Sequence, residues 1–123
     1  MHCVTDTAQI LRDLAYYRVR VPQKNTPAMT QAIFSLLYAR LGLKDEAMRY
    51  LYEAYLPNLC TPFRTLAEYN GGDNPYFLTG AGGVLQALVM GFGGYDFTDS
   101  GLRQLYKPLL PDGWSSFKVT FGR

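Results

Sequence analysis

A carboxylate standing where the chain has no structural use for one is suited to general acid or base chemistry, and Glu68 is such a group. The chain has ten Asp and Glu residues. Asp6, Asp45 and Glu46 stand where helix starts take negative charge, and Asp13 and Glu53 fall on the exposed faces of predicted helices. Asp73, Asp96, Asp99 and Asp112 are read as turn residues among Gly, Asn and Ser. Glutamate is no turn-former, yet Glu68 interrupts a loop. It is flanked by Leu66, Ala67 and Tyr69, just before the turn Asn70-Gly71-Gly72-Asp73-Asn74-Pro75. The aromatic residues offer a second chemistry. Ten tyrosines, with Phe63, Phe77, Phe92 and Trp114, give flat amphipathic surface that suits stacking on sugar rings and equally suits a core.

Other chemistries lack their residues. Cys3 and Cys60 have no CxxC spacing and His2 is the single histidine, so neither a Cys/His zinc site nor a Ser-His-Asp triad can be assembled from this chain. Gly80, Gly82 and Gly83 invite a nucleotide-loop reading, but Leu85 stands where the third glycine of GxGxxG belongs and the Walker lysine is missing. The glycines are read instead as sites of tight turning and close helix contact, and no metal or cofactor is expected. A net charge of +2 without a basic block leaves no footprint for nucleic acid or an anionic membrane. The uncharged stretch 74–95 is broken by Pro75, Gln86 and its glycines, so no membrane span is expected. Residues 1–6 lack the basic and apolar regions of a signal peptide, which reads as a cytosolic start or one internal to a longer gene and leaves the compartment open.

Helices must position these groups. Apolar residues at three- and four-residue spacing predict helices over 6–19, behind Thr5-Asp6, and over 27–41, where Thr26 would cap and Ile33, Leu36, Leu37 and Leu41 would form one face. A third helix over 45–55 presents Ala47, Tyr50, Leu51, Ala54 and Tyr55, pairs antiparallel with the second across Gly42, and stops at Pro57. The pair resembles a tetratricopeptide hairpin, but no second copy follows. Residues 57–75 read as a long connection, followed by a buried helix over 83–90 and a short one over 102–106. Phe117, Val119 and Phe121 then alternate with polar residues as a strand does, with no predicted partner strand in the chain.

The segment Asn74-Pro75-Tyr76-Phe77-Leu78-Thr79-Gly80-Ala81-Gly82-Gly83, with Gly91-Phe92-Gly93-Gly94, resembles the late catalytic-domain segment of glycoside hydrolase family 65. Upstream, Asp13-Leu14, Tyr16-Tyr17, Thr26 to Thr30 and Arg40-Leu41-Gly42 are similar to the family's preceding helices. Downstream, Pro108-Leu109-Leu110-Pro111 and Trp114 resemble its exit into a β domain. The resemblance implies an all-α fold: antiparallel helical hairpins forming the last part of an (α/α)6 barrel, with a short C-terminal strand. Residues 1–112 would be the C-terminal portion of the barrel domain, and 113–123 the start of a missing β domain.

In function it implies part of an inverting hydrolase of α-glucosides such as trehalose, kojibiose or protein-linked glucose. A disaccharide phosphorylase, or a noncatalytic helical module that binds a partner or itself, is the alternative. Glu68 falls at the position of the family's base. Tyr69, Asn70, Asn74, Phe77, Thr79 and Gln86 are the candidates for contacting the carbohydrate substrate. Inversion needs a second carboxylic acid roughly 6.5–9.5 Å from the base, and the family's acid lies upstream of Met1. The isolated chain is therefore expected to be inactive, and to associate with itself through the apolar surface that missing helices would cover.

Overall fold

The computed structural model describes residues 6–22 and 24–120. Thr5, Gln23 and the end of the expected C-terminal strand, 121–123, lie outside them, as do His2 and Cys3. Four α-helices dominate: α1 (Thr7–Arg18), α2 (Ala28–Arg40), α3 (Lys44–Tyr55) and α4 (Leu78–Gln86). The last continues as a π-helical segment over Ala87–Phe92.

α1 starts where Asp6 accepts a hydrogen bond from the Ala8 amide, so the expected cap is supplied by the carboxylate. The expected cap of α2 fails. The Thr26 hydroxyl donates to the Pro22 carbonyl instead, and Pro27 precedes the helix without a side-chain cap. Glu68 takes up that function from outside, because its carbonyl accepts from the Ala28 amide at 2.8 Å. α2 is also less amphipathic than one apolar face implies. Ala28, Gln31, Ala32, Phe34, Ser35, Leu36, Tyr38 and Ala39 are all buried around its circumference, while Ile33, expected inside, is exposed. A helix buried on several sides is a central helix.

α3 lies on one flank of it. Gly42, at φ +75°, makes the sharp reversal that a side chain would strain, and Ala47, Tyr50, Leu51 and Ala54 then face α2 as their spacing required. Tyr50 stacks on Tyr38 at 5.3 Å between centroids and tilts against Phe34 at 5.2 Å. Each such pair adds about 0.5–1.5 kcal/mol beyond its burial. The Ser35 hydroxyl crosses the same seam to the Ala47 carbonyl at 2.8 Å, satisfying a polar group that would otherwise be stranded.

α4 occupies another flank, running in the same direction as α2. A Cβ at Gly80 would come within 3.0 Å of the Ala28 Cβ, one at Gly83 within 3.2 Å of Ala32, and one at Gly91 within 3.0 Å of the Leu36 Cα. Gly80 and Gly83 therefore do what the close-contact reading expected, whereas a Cβ at Gly82 would meet nothing within 4 Å, and the close contacts explain why the helix begins at Leu78 rather than Gly83. Packing on α2 outweighs the poor helix propensity of Gly80, Gly82 and Gly83.

Two ribbons correct the rest of the expectation. Within the 57–75 connection, β1 (Leu59–Cys60) pairs antiparallel with β2 (Thr65–Leu66). The short helix expected over 102–106 is a strand: β4 (Gly101–Gln104) pairs with β3 (Tyr95–Thr98), placing Tyr95 opposite Gln104. Asp96 is accordingly no turn residue but an ion-pair partner of Arg40 at 2.7 Å, both largely buried. The Arg40 guanidinium also lies 4.7 Å from the Tyr106 ring, which ties α2 to the ribbon and its exit. Residues 105–120 run back over the helices without regular structure, so the predicted strand over 117–120 is not formed among the described residues. Trp114 and Phe117 stack instead at 6.4 Å. Among the described residues no helix is long and apolar enough to cross a membrane.

Candidate active site

The loop carrying Glu68 is held by its backbone. Asn58 fixes one side, since its carbonyl accepts from the Ala67 amide at 2.9 Å and its side-chain amide donates to Ala54 at the end of α3 at 3.0 Å. The bond from the Ala28 amide to the Glu68 carbonyl fixes the other, and the Phe77 amide donates to Leu66 at 2.8 Å where the loop leaves for α4. Ala67 is wholly buried. The next residue, Glu68, is exposed, and its carboxylate has no hydrogen bond or ion pair among the described residues. A pinned backbone with an uncommitted carboxylate is what a proton acceptor needs, because its lone pairs are free for substrate or water.

The other expected residues divide. Tyr69 is partly exposed and folds over Gly72, whose amide donates to the Tyr69 carbonyl at 2.9 Å. Asn74 is occupied as a turn-former, its side-chain oxygen accepting from the Tyr76 amide at 3.2 Å. Phe77 is half-buried at the start of α4, and Thr79 is exposed in the helix's first turn. These four share with Glu68 the end of the molecule where α2 and α4 both begin. Gln86 does not belong to the group: it is exposed at the opposite end of α4, seven residues or about 10 Å along the axis from Thr79. Asn70 instead lines a cleft of about 620 Å³ bounded by the stretch after α1, α2, α3 and Asn58.

That cleft escaped the sequence reading, although one signal marked it. Gln31 is a polar residue inside the apolar stripe of α2, between Ala28 and Phe34 at helical spacing, and it is buried in the structure. Among the described residues no group of three metal-binding side chains converges, so the chemistry on offer is that of a carboxylate beside aromatic and amide groups.

No family model matches the chain. Over 117 residues it is 55% identical to the kojibiose hydrolase of Mucilaginibacter mallensis, and equally to that of Flavobacterium johnsoniae. Each match covers 95% of this chain and 17% of the relative's length. Over 109 residues it is 33% identical to the protein-glucosylgalactosylhydroxylysine glucosidase of Dictyostelium discoideum, covering 87% of this chain and 15% of that protein. These relatives are glycoside hydrolases, and the chain spans less than a fifth of the length of each. Such identity over nearly all of the chain bears out the likeness carried by its Thr-Gly-Ala-Gly-Gly segment, and the chain belongs to glycoside hydrolase family 65, corresponding to one segment of these longer proteins.

Proposed function

We propose that this chain forms the closing helices of the catalytic α/α barrel of an inverting α-glucoside hydrolase, with Glu68 as its general base. Residues 1–112 are the barrel portion and 113–123 the passage into a β domain. The observation that carries the reading is the condition of Glu68, fixed through its backbone to α2 while its carboxylate is exposed and unpaired. The direction shared by α2 and α4, with α3 on the flank of α2, suits a barrel whose inner helices are parallel and whose site gathers at their amino ends.

In this reading Glu68 takes a proton from water as the water attacks the anomeric carbon, on the face opposite the leaving oxygen. An acid from elsewhere in the longer protein protonates that oxygen. Tyr69, Asn74, Phe77 and Thr79 contact the sugar, Gln86, at the far end of α4, contacts a more distant part of it, and Asn70 lies in the neighbouring cleft instead. Kojibiose and protein-linked glucose, the substrates in the relatives' names, make an α-glucoside the substrate class.

The test is a graft. This chain, placed in the Flavobacterium johnsoniae kojibiose hydrolase in exchange for its matched 117 residues, should yield a protein that hydrolyses kojibiose, whereas the chain alone should hydrolyse nothing faster than buffer does. Glu68→Gln within the graft should lower kcat by about 10²–10⁴-fold with KM and thermal midpoint nearly unchanged. Unaltered turnover in the Gln variant ends the assignment. Cleavage that depends on phosphate would make phosphate the nucleophile and leave Glu68 a loop residue.

A further inference from the structure

The cleft takes Pro57, Asn58 and Asn70 from the 57–75 connection but neither Glu68 nor Tyr69, so it is a separate concavity rather than part of the Glu68 surface. Its volume of about 620 Å³ is that of a small-molecule site. Two of its lining residues are unusual. Gln31 and Asn58 are 7% and 2% exposed, and the side-chain oxygen of each has no hydrogen-bond partner among the described residues. The Asn58 amide nitrogen is committed to the Ala54 carbonyl, so the oxygen is the group left over. Buried acceptors are seldom left without donors, because the desolvation penalty is then uncompensated.

The cleft's charged residues narrow the ligand. Arg18, Lys24 and Arg49 face it together with Glu53, and none of the four makes an ion pair or side-chain hydrogen bond among the described residues. Arg49 is held by its approach to the Tyr50 ring, 4.4 Å from the centroid. An anion would satisfy the three cations but press its oxygens against Glu53 and the two amide oxygens. A cation would do the reverse. A neutral polyhydroxyl molecule satisfies both sets at once, since each hydroxyl donates one hydrogen bond and accepts others.

We propose that this cleft is a second carbohydrate-binding site, separate from Glu68, in which a neutral sugar donates hydroxyl protons to Gln31, Asn58 and Glu53 and accepts from Arg49 and its basic neighbours. The inference is independent of the role of Glu68: glucose could also occupy the Glu68 surface, so the substitutions at Gln31 and Glu53, which line the cleft and not that surface, are what separate the two sites.

Thermal unfolding of the protein is followed with glucose and, separately, with inorganic sulfate. Glucose should raise the midpoint and sulfate should not. Gln31→Met keeps the length of the side chain and removes the orphaned oxygen. It should raise the midpoint of the sugar-free protein while weakening glucose by about tenfold, the loss of one well-placed hydrogen bond. Glu53→Gln lies outside the core and tests the same site without a packing change, and it should weaken glucose by a similar factor. A lower sugar-free midpoint for Gln31→Met would mean that the amide already has its partner, and would overturn the proposal. So would stabilisation by sulfate in place of glucose, or a glucose effect indifferent to both substitutions.

Discussion

At the scale of single residues, the aromatic seam between α2 and α3 gives the protein a specific response to alkali. Burial raises the Tyr50 phenol above its ordinary 10.0, with the nearby Arg49 opposing the shift. The unfolded chain therefore loses this proton first as pH rises. The stabilisation tied to it is complete below pH 10.0 and is lost as the pH climbs through the higher folded value. Thermal midpoints measured from pH 9 to 12 should fall more steeply for the wild type than for Tyr50→Phe, which keeps the ring contacts with Tyr38 and Phe34 but has no proton to lose. Parallel curves would contradict it. Glu68 stood out as a candidate at this scale because it broke a local rule: a long carboxylate in a turn-rich loop has no use there. The cleft was only partly legible, since Gln31 stands out as a polar residue in an apolar stripe but Asn58 betrays itself only when its burial is known.

At the scale of elements, legibility follows the distance over which the determining contacts act. α1, α2 and α3 were readable from period, proline and glycine, which operate within a few residues. β4 was misread because Leu102 and Tyr106 stand at helical spacing, while its pairing with β3 and the tie from Arg40 to Asp96 come from residues far apart in the chain. The early start of α4 had the same cause, its glycines being useful only once α2 is beside them. This gives a paired prediction. A Cβ at Gly82 meets nothing within 4 Å, so Gly82→Ala should stabilise by roughly 0.5–1 kcal/mol through helix propensity. At Gly91 the added methyl meets the Leu36 backbone at 3.0 Å and the Ala39 Cβ at 3.2 Å, neither of which can rotate away. Gly91→Ala should destabilise by about 1–3 kcal/mol in urea titrations. Equal effects of one sign would show that α4 does not ride on α2 through its glycines.

At the scale of the whole molecule, the helices leave apolar surface with nothing against it. Leu78 and Leu85, seven residues apart and so on one face of α4, are 82% and 62% exposed. A groove of about 320 Å³ between α1 and α2 is walled by Leu14, Tyr17, Ile33, Phe34 and Leu37. In relatives more than five times as long, there is chain enough to cover both. The 123 residues alone have only other copies of themselves. Burying two leucines contributes about 3–6 kcal/mol, enough to hold copies together at high concentration although not to fix their number. Light scattering of the purified chain should therefore show association that grows with concentration. Leu78→Glu with Leu85→Lys should reduce it without lowering the thermal midpoint, because neither side chain supports the fold and each charge suits its end of α4. A monomer at millimolar concentration would mean that this face is stable in water. Association unchanged by the two charges would move the contact to the α1–α2 groove, where Ile33→Lys is the corresponding test.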